Sequence, residues 1–560
     1  MKACVLDDTR DNNGARPVRL VVTANQIPAM SVSGSHAAGF AATAKSKKSA
    51  PRSSIITKIT LPARKRRVRT VPTKRATTFA SPNLEVFPNP LLQSYTSITP
   101  SDMNSDVSPT QVVSVVNTAA GGKFIVSTKV TLSTTLRTGQ IASLGGLGNC
   151  SGTTRGEPIV LWDRKTDGYV GGRWLIAEIG AVNTSYCVYL SQTEDATGAW
   201  NAFEFVFAAP FVWPKIGIWP RLYAMATLNQ TCVIDKMAIW ANDPAPALMC
   251  SGTTSVVWTP VNTESDIVPA LTAGFIDDTL PGVIFMSLSD DELGDTAPAS
   301  PTEDYLNVQH WYQVNFTAIP YPYRTTTYQL PVADFDLNVK GPIPAPAGAT
   351  LVPLTGLISN RLVYRYFDNG VPLSAQSIVG CFTSFPHTGV GPTHIRWFEL
   401  RLYKLDSNSQ AQFHVYQDGA IDASSDGLYQ WIPMSTIDSR GTIVIGFSVS
   451  NLTYFPRLAA ASQLYNDPIN SIRAKTIVAQ PGVLVPFTAS GYWGTYGSMS
   501  ALEPNRFYMS GQVSFSGGTW QGTTLLLSAA SEVYNRTFVA SYYECLGVTA
   551  SCSQTITATG

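Results

Sequence analysis

From Asn83 to the C-terminus the chain is a succession of short runs rich in Val, Ile, Thr and aromatic residues, cut by turn-forming residues, and this rhythm restricts it to β-sheet architectures. PIVLWD (Pro158 to Asp163), RWLIAEI (Arg173 to Ile179), YCVYLS (Tyr186 to Ser191), FEFVFA (Phe203 to Ala208) and TIVIGFSVS (Thr442 to Ser450) are all of strand length. Breaks containing Asp, Asn, Gly, Ser and Thr separate them, as tight turns require. No amphipathic helical window of comparable strength appears.

The scale of this pattern narrows the choice further. A single β-sandwich takes about 100 residues, far fewer than the stretch holds, and the Pro-rich piece GPIPAPAGAT (Gly341 to Thr350) is the one candidate for a linker between several sandwiches. One closed radial repeat accommodates the whole stretch without linkers. We therefore expect an all-β fold, a β-propeller of about six to eight four-stranded blades over residues 85–560, preceded by a basic arm over 1–84. Aromatic pairs at Arg173-Trp174, Ile218-Trp219, Trp311-Tyr312, Arg396-Trp397, Gln430-Trp431 and Tyr492-Trp493 punctuate the body as blades would. Two turns, TEDATGAW (Thr193 to Trp200) and SSDGLYQW (Ser424 to Trp431), resemble the Asp-box that ties a turn to its blade in sialidase-type propellers.

A longer set of segments resembles a little-characterised family of bacterial-type secreted β-propellers. In order along the chain these are TPSDMNSDVSPTQVVSVVN (Thr99 to Asn117), GEPIVLWDRKTDGYVGGRWLIAEI (Gly156 to Ile179), TEDATGAW, PKIGIWPRLYAMATLN (Pro214 to Asn229), SNRLVYRYF (Ser359 to Phe367), IRWFELR (Ile395 to Arg401), IVIGFSVSNLTYFPRL (Ile443 to Leu458) and GYWGTYGSMSALEP (Gly491 to Pro504). The last departs from the family at Thr495, where an acid is usual, and at Glu503, where Asp is usual. The resemblance implies a propeller and an extracellular or surface location. It also implies a non-enzymatic role in which a loop-bearing face binds a glycan or another protein.

Charge divides the chain differently. Residues 1–84 hold 16 Lys and Arg against three acids, so a net charge of +1 conceals an arm at +13 and a body at −12. The basic residues cluster at Lys45, Lys47 and Lys48, at Arg64, Lys65, Arg66, Arg67 and Arg69, and at Lys74 and Arg75. Such density of like charge resists burial, so the arm is expected to be disordered. It would neutralise nucleic-acid phosphates or another polyanion through counterion release, serve as a nuclear or organellar address, or act only as a solubilising tail. The first of these suggests a second functional reading, a virion component whose arm meets packaged nucleic acid while the body packs with its neighbours as an oligomer.

Candidate sites in the body are few. Asp102, Asn104 and Asp106 show the D-x-N-x-D alternation that presents oxygen ligands to Ca²⁺, although Val107 and Val113 exclude an EF-hand, and a turn-stabilising Asx cluster is the alternative. No other cofactor is expected. Glu157, Asp163, Asp195 and Glu399 are acids close to aromatics, the place to look for the two carboxylates of a glycosidase-like hydrolase. His387 and His394 share a Gly/Pro loop that could seat a metal pair. Walker, dinucleotide and G-x-S-x-G motifs are missing, which disfavours nucleotide and serine-hydrolase chemistry. No segment has the roughly 18 to 20 apolar residues of a membrane span, and the first residues do not read as a standard secretory signal. Of eight cysteines none is spaced C-x-x-C; Cys232/Cys250 and Cys545/Cys552 could form local bridges, with buried free thiols as the alternative.

Overall fold

The computed structural model describes most of residues 100–529, together with strands Arg19–Thr23, Thr77–Phe79, Leu84–Val86, Leu91–Gln93, Val539–Tyr542 and Gln554–Thr557; the longest omitted stretches within the body are 265–281, 292–303, 368–375 and 480–490. The basic residues Lys45 to Arg75 lie outside the described residues, as do His387, Cys545 and Cys552.

Among the described residues the body is a β-propeller of seven antiparallel blades. Their innermost strands are Asn104–Val107, Gly156–Asp163, Lys215–Ile218, Thr259–Thr263, Leu362–Tyr366, Tyr429–Ile437 and Ser498–Glu503. Each packs against its successor, and that of blade seven packs against that of blade one, so the ring closes. The innermost strands of blades four and five pair in parallel, Val261 opposite Leu362, which joins those two blades into one sheet. Blade seven is composite. Its inner three strands come from 498–529, and its outermost places are filled by Leu84–Val86 and Leu91–Gln93, both antiparallel to Trp520–Ala529.

Blades stacked face to face are buried on both sides, which is why strands such as Ser185–Ser191 and Ile443–Ser450 are buried along their whole length. The core is accordingly a set of apolar layers between consecutive blades: Val113, Phe124, Val160 and Trp174 between one and two, Leu161, Val188, Met225 and Ile234 between two and three, Val379, Trp397, Ile445 and Phe447 between five and six. Close approach makes small residues obligatory in places. A Cβ on Gly446 of blade six would stand 2.6 Å from the Met509 methyl of blade seven. The tryptophans of all six aromatic pairs are buried, one in or just before each of blades two to seven. Their irregular spacing follows from blades of unequal length.

GPIPAPAGAT does not separate domains. It belongs to a strap between blades four and five, in which Ile343–Pro344 pairs with Thr350–Val352, and Leu351 and Val352 run parallel to Gly491 and Tyr492 just before blade seven. Ile343, Ala345 and Leu351 pack with Met103, Trp431, Trp493 and Trp520, so the strap crosses from blade five toward blades six, seven and one.

Among the described residues two disulfides form, Cys232–Cys250 across neighbouring strands of blade three and Cys150–Cys187, which fastens the loop after blade one to blade two. The plain expectation of free thiols holds for buried Cys381.

Candidate active site at the channel mouth

All innermost strands run in one direction, so their first residues gather at one mouth of the central channel. Below that mouth the channel is filled by a buried polar network. Arg361, directly before the innermost strand of blade five, donates to Ser105 O (2.9 Å) and Val160 O (2.7 Å), approaches Ser500 Oγ (3.3 Å) and pairs with Asp106 at 3.1 Å. Arg365, two turns of the pleat further along, donates to Ile437 O (2.5 Å) and Ala501 O (2.9 Å) and stands 3.5 Å from Glu264. Thr436 donates to the same Glu264 oxygen at 2.8 Å. Burial pushes the Glu264 carboxyl up, against the pull of Arg365.

At the mouth itself Asn117 links the Asp102 carboxyl to the Glu157 backbone. Asn117 Nδ2 donates to Asp102 Oδ2 (2.6 Å), while Asn117 Oδ1 accepts from the Glu157 N–H (2.9 Å). The Thr495 hydroxyl donates to Asp102 Oδ1. Glu157 Oε2 accepts from Trp213 N (2.8 Å) and from the Tyr496 hydroxyl (3.2 Å), which also lies 3.1 Å from Pro214 O. Burial, reinforced by the neighbouring Glu157 charge, raises Asp102 to about 8, so this carboxyl holds its proton at neutral pH. Burial raises Glu157 as well, opposed by the bonds from Trp213 and Tyr496. Glu157 is partly exposed, and beside it the Trp213 ring meets the exposed Tyr492 ring edge-on at 5.9 Å.

The local backbone explains how the chain sets these groups. Asp102, Glu157 and Trp213 have φ of 45°, 51° and 54°, each within two residues of the first residue of its innermost strand. A left-handed residue there costs of order 1–3 kcal/mol, and the surrounding hydrogen bonds hold it in place. The three residues thus occupy equivalent positions in successive blades. Superposing the blades would have found the Asp102 and Glu157 pair; reading acids next to aromatics found Glu157 alone.

The other sequence candidates separate. Asp106 is engaged by Arg361 and by Trp162 N (2.8 Å), and Asn104 bridges Pro158 O (2.6 Å) and Val160 N (2.9 Å), so the Asp102, Asn104 and Asp106 side chains go to different partners and not to one cation. Asp163 is buried against Lys236 at 2.7 Å and accepts from Tyr223. Asp195 caps its own turn, accepting from Thr197 N and from Gln111, as an Asp-box aspartate should. Glu399 is held by Arg401, Ser377 and Gln417. Among the described residues, the three acids whose oxygens converge within 4.8 Å are Asp290, Asp291 and Asp304, at a turn of blade four. Asp304 there is raised to about 8 by burial, with the charges of Asp290 and Asp334 adding to it.

No family model and no curated protein matches the chain. Among solved structures it is similar to the α-L-arabinanase of Penicillium chrysogenum complexed with arabinobiose, at 10% identity over 79% of this chain and 97% of that one, with a TM-score of 0.35. It is also similar to the WD40 domain of SCAP from fission yeast (9%, 75% and 83%, TM-score 0.30) and to an exo-β-1,3-galactanase from Clostridium thermocellum (8%, 81% and 88%, TM-score 0.27). The likeness speaks to the fold alone. The expectation of a non-enzymatic binding protein, with its virion alternative, is corrected here on what the mouth itself carries, two acids, Asp102 and Glu157, whose carboxyls are both pushed up by burial.

Proposed function

We propose that the channel mouth is the acid–base site of a hydrolase that cleaves a glycosidic bond. The observation that carries this reading is Asn117 linking the Asp102 carboxyl to the Glu157 backbone, with burial raising both carboxyls and Asp102 to about 8. A proton-holding carboxyl beside a second carboxyl is what hydrolysis of an acetal needs. Asp102 gives its proton to the leaving oxygen as the bond from the anomeric carbon to that oxygen breaks. Glu157 takes a proton from water as the water oxygen forms the new bond to the same carbon. The Trp213 and Tyr492 rings offer apolar edges to a sugar ring. The arabinanase and galactanase named above agree in reaction class, and the two disulfides agree with an oxidising, secreted setting of the kind the resembled family occupies.

The test is release of nitrophenol from a panel of nitrophenyl glycosides by the wild type, Asp102→Asn and Glu157→Gln. We expect each substitution to lower kcat/KM by roughly 10²- to 10⁴-fold, with the wild-type rate falling above about pH 8 as Asp102 ionises. Variants as active as the wild type would sink the proposal.

A further inference from the structure

Tyr496 stands two residues before the innermost strand of blade seven, yet its ring belongs to the apolar layer between blades two and three. That packing buries the side chain and sets its hydroxyl between two acceptors, Glu157 Oε2 at 3.2 Å and Pro214 O at 3.1 Å. A hydroxyl has a single proton, so the two compete for it. The same Glu157 oxygen accepts from Trp213 N at 2.8 Å, whereas no described residue donates to Glu157 Oε1. The carboxyl is therefore held by one oxygen and open at the other. The titratable groups acting on this pair are Asp102 of blade one and the Tyr186 phenol of blade two. Lys215, next to Pro214 in the chain, directs its ammonium elsewhere, to Thr259 Oγ1 (3.0 Å) and Ile358 O (2.6 Å). Burial, with the Glu157 and Asp102 charges adding to it, keeps the Tyr496 phenol protonated, so it remains a donor.

We propose that Tyr496 is a positioning residue for Glu157: its hydroxyl holds Oε2 while the carboxylate is charged and turns to Pro214 O once Glu157 has taken a proton, leaving Oε1 for the attacking water. The inference rests on the acid–base reading above. In that step the water oxygen bonds to the anomeric carbon and a water proton passes to Oε1. The electron pair of the broken glycosidic bond leaves with the departing oxygen, which takes the Asp102 proton. The Tyr496 proton never leaves its own oxygen. A hydrogen bond to an ionised acceptor is roughly twice as strong as one between neutral groups, so the hydroxyl favours Glu157 before the step. Afterwards it has two neutral acceptors at nearly equal distance, and it turns between them without losing a bond. The bond to the charged form also opposes burial, which raises the Glu157 carboxyl. Without it Glu157 would keep its proton to higher pH and be ready as a base only there.

The experiment compares the pH profiles of Tyr496→Phe and the wild type on whichever nitrophenyl glycoside the panel shows to be turned over. We expect the acidic limb of kcat/KM to move up by about one pH unit, so that activity on that limb falls about tenfold. KM at the optimum should stay level, because the hydroxyl does not touch the sugar. A limb that stays in place or moves down overturns the inference, whatever happens to Tm. A second arm keeps ring and hydroxyl and so does not depend on the phenylalanine variant folding: 3-fluorotyrosine at position 496 is a stronger donor and should move the same limb down. An unmoved limb there overturns the inference as well. Should Asp102→Asn and Glu157→Gln abolish turnover while Tyr496→Phe keeps the wild-type limb, the inference alone fails. Full activity in the two carboxyl variants, or no turnover by the wild type on any glycoside, removes the reading beneath it and the inference with it.

Discussion

Arg361 shows how one side chain can organise the centre of a ring. Its guanidinium touches blades one, two and seven from blade five, satisfying two backbone carbonyls and a carboxylate that water cannot reach. Removing it leaves Asp106 charged and buried, so Arg361→Met should cost about 3–5 kcal/mol in denaturant unfolding; a loss below about 1 kcal/mol, the worth of an exposed pair, would show that the network is solvated. The same residues explain a misreading. Asp102, Asn104 and Asp106 alternate because a strand presents every second side chain to one face, and here that face looks across the channel toward blades two and five. Spacing that suits a cation also suits the inner edge of a blade, and a sequence read without its neighbouring strands cannot separate the two. Glu157 was legible because it opens a strand that runs to Trp162. Asn117 and Tyr496 were not, since what unites them with Glu157 is the arrangement of blades one, two and seven.

At the scale of elements, the closing strands carry the most consequence. Leu84 is buried between blades six and seven, opposite Ala529 in the ladder. Leu84→Asp places a charge in that layer and unseats the outer edge of blade seven; we expect a Tm several degrees lower, from a loss of about 2–5 kcal/mol. A variant that melts with the wild type would show that the ring does not depend on its closing strand. The strands themselves were readable from their runs, and buried tryptophans marked the blades. The strap could be weighed only as a candidate linker, set aside for a single body, because proline-rich composition reports only that a segment avoids regular ladders. It does not report that Ile343 and Leu351 lie against Trp431 and Trp493. Cys232–Cys250 was accessible from short separation on adjacent strands, whereas Cys150–Cys187 spans 37 residues and requires knowing how a loop folds back.

Over the whole molecule, buried acids set the response to pH. Burial raises Asp102 and Asp304 to about 8 and Glu178 to about 7, and lifts Glu157, Asp163, Glu264 and Asp438 as well. Above the unfolded value near 4 the native chain therefore binds more protons than the unfolded one, so stability is fullest in acid and drains away as pH rises toward 8. Lys215, lowered to about 7 by burial, works in the opposite sense above pH 7. Tm should fall between pH 5 and 8, and Asp102→Asn should flatten part of that slope; a wild-type curve that climbs over the same range would contradict the account. The closure of the ring also has a consequence in time. Leu84–Val86 is synthesised several hundred residues before Trp520–Ala529, the strand it pairs with. At roughly 5–20 residues per second, it emerges from the ribosome and waits on the order of tens of seconds without a partner. Six blades can form behind it while the seventh cannot, so a nascent chain stalled before residue 520 would expose this edge to chaperones and to other chains.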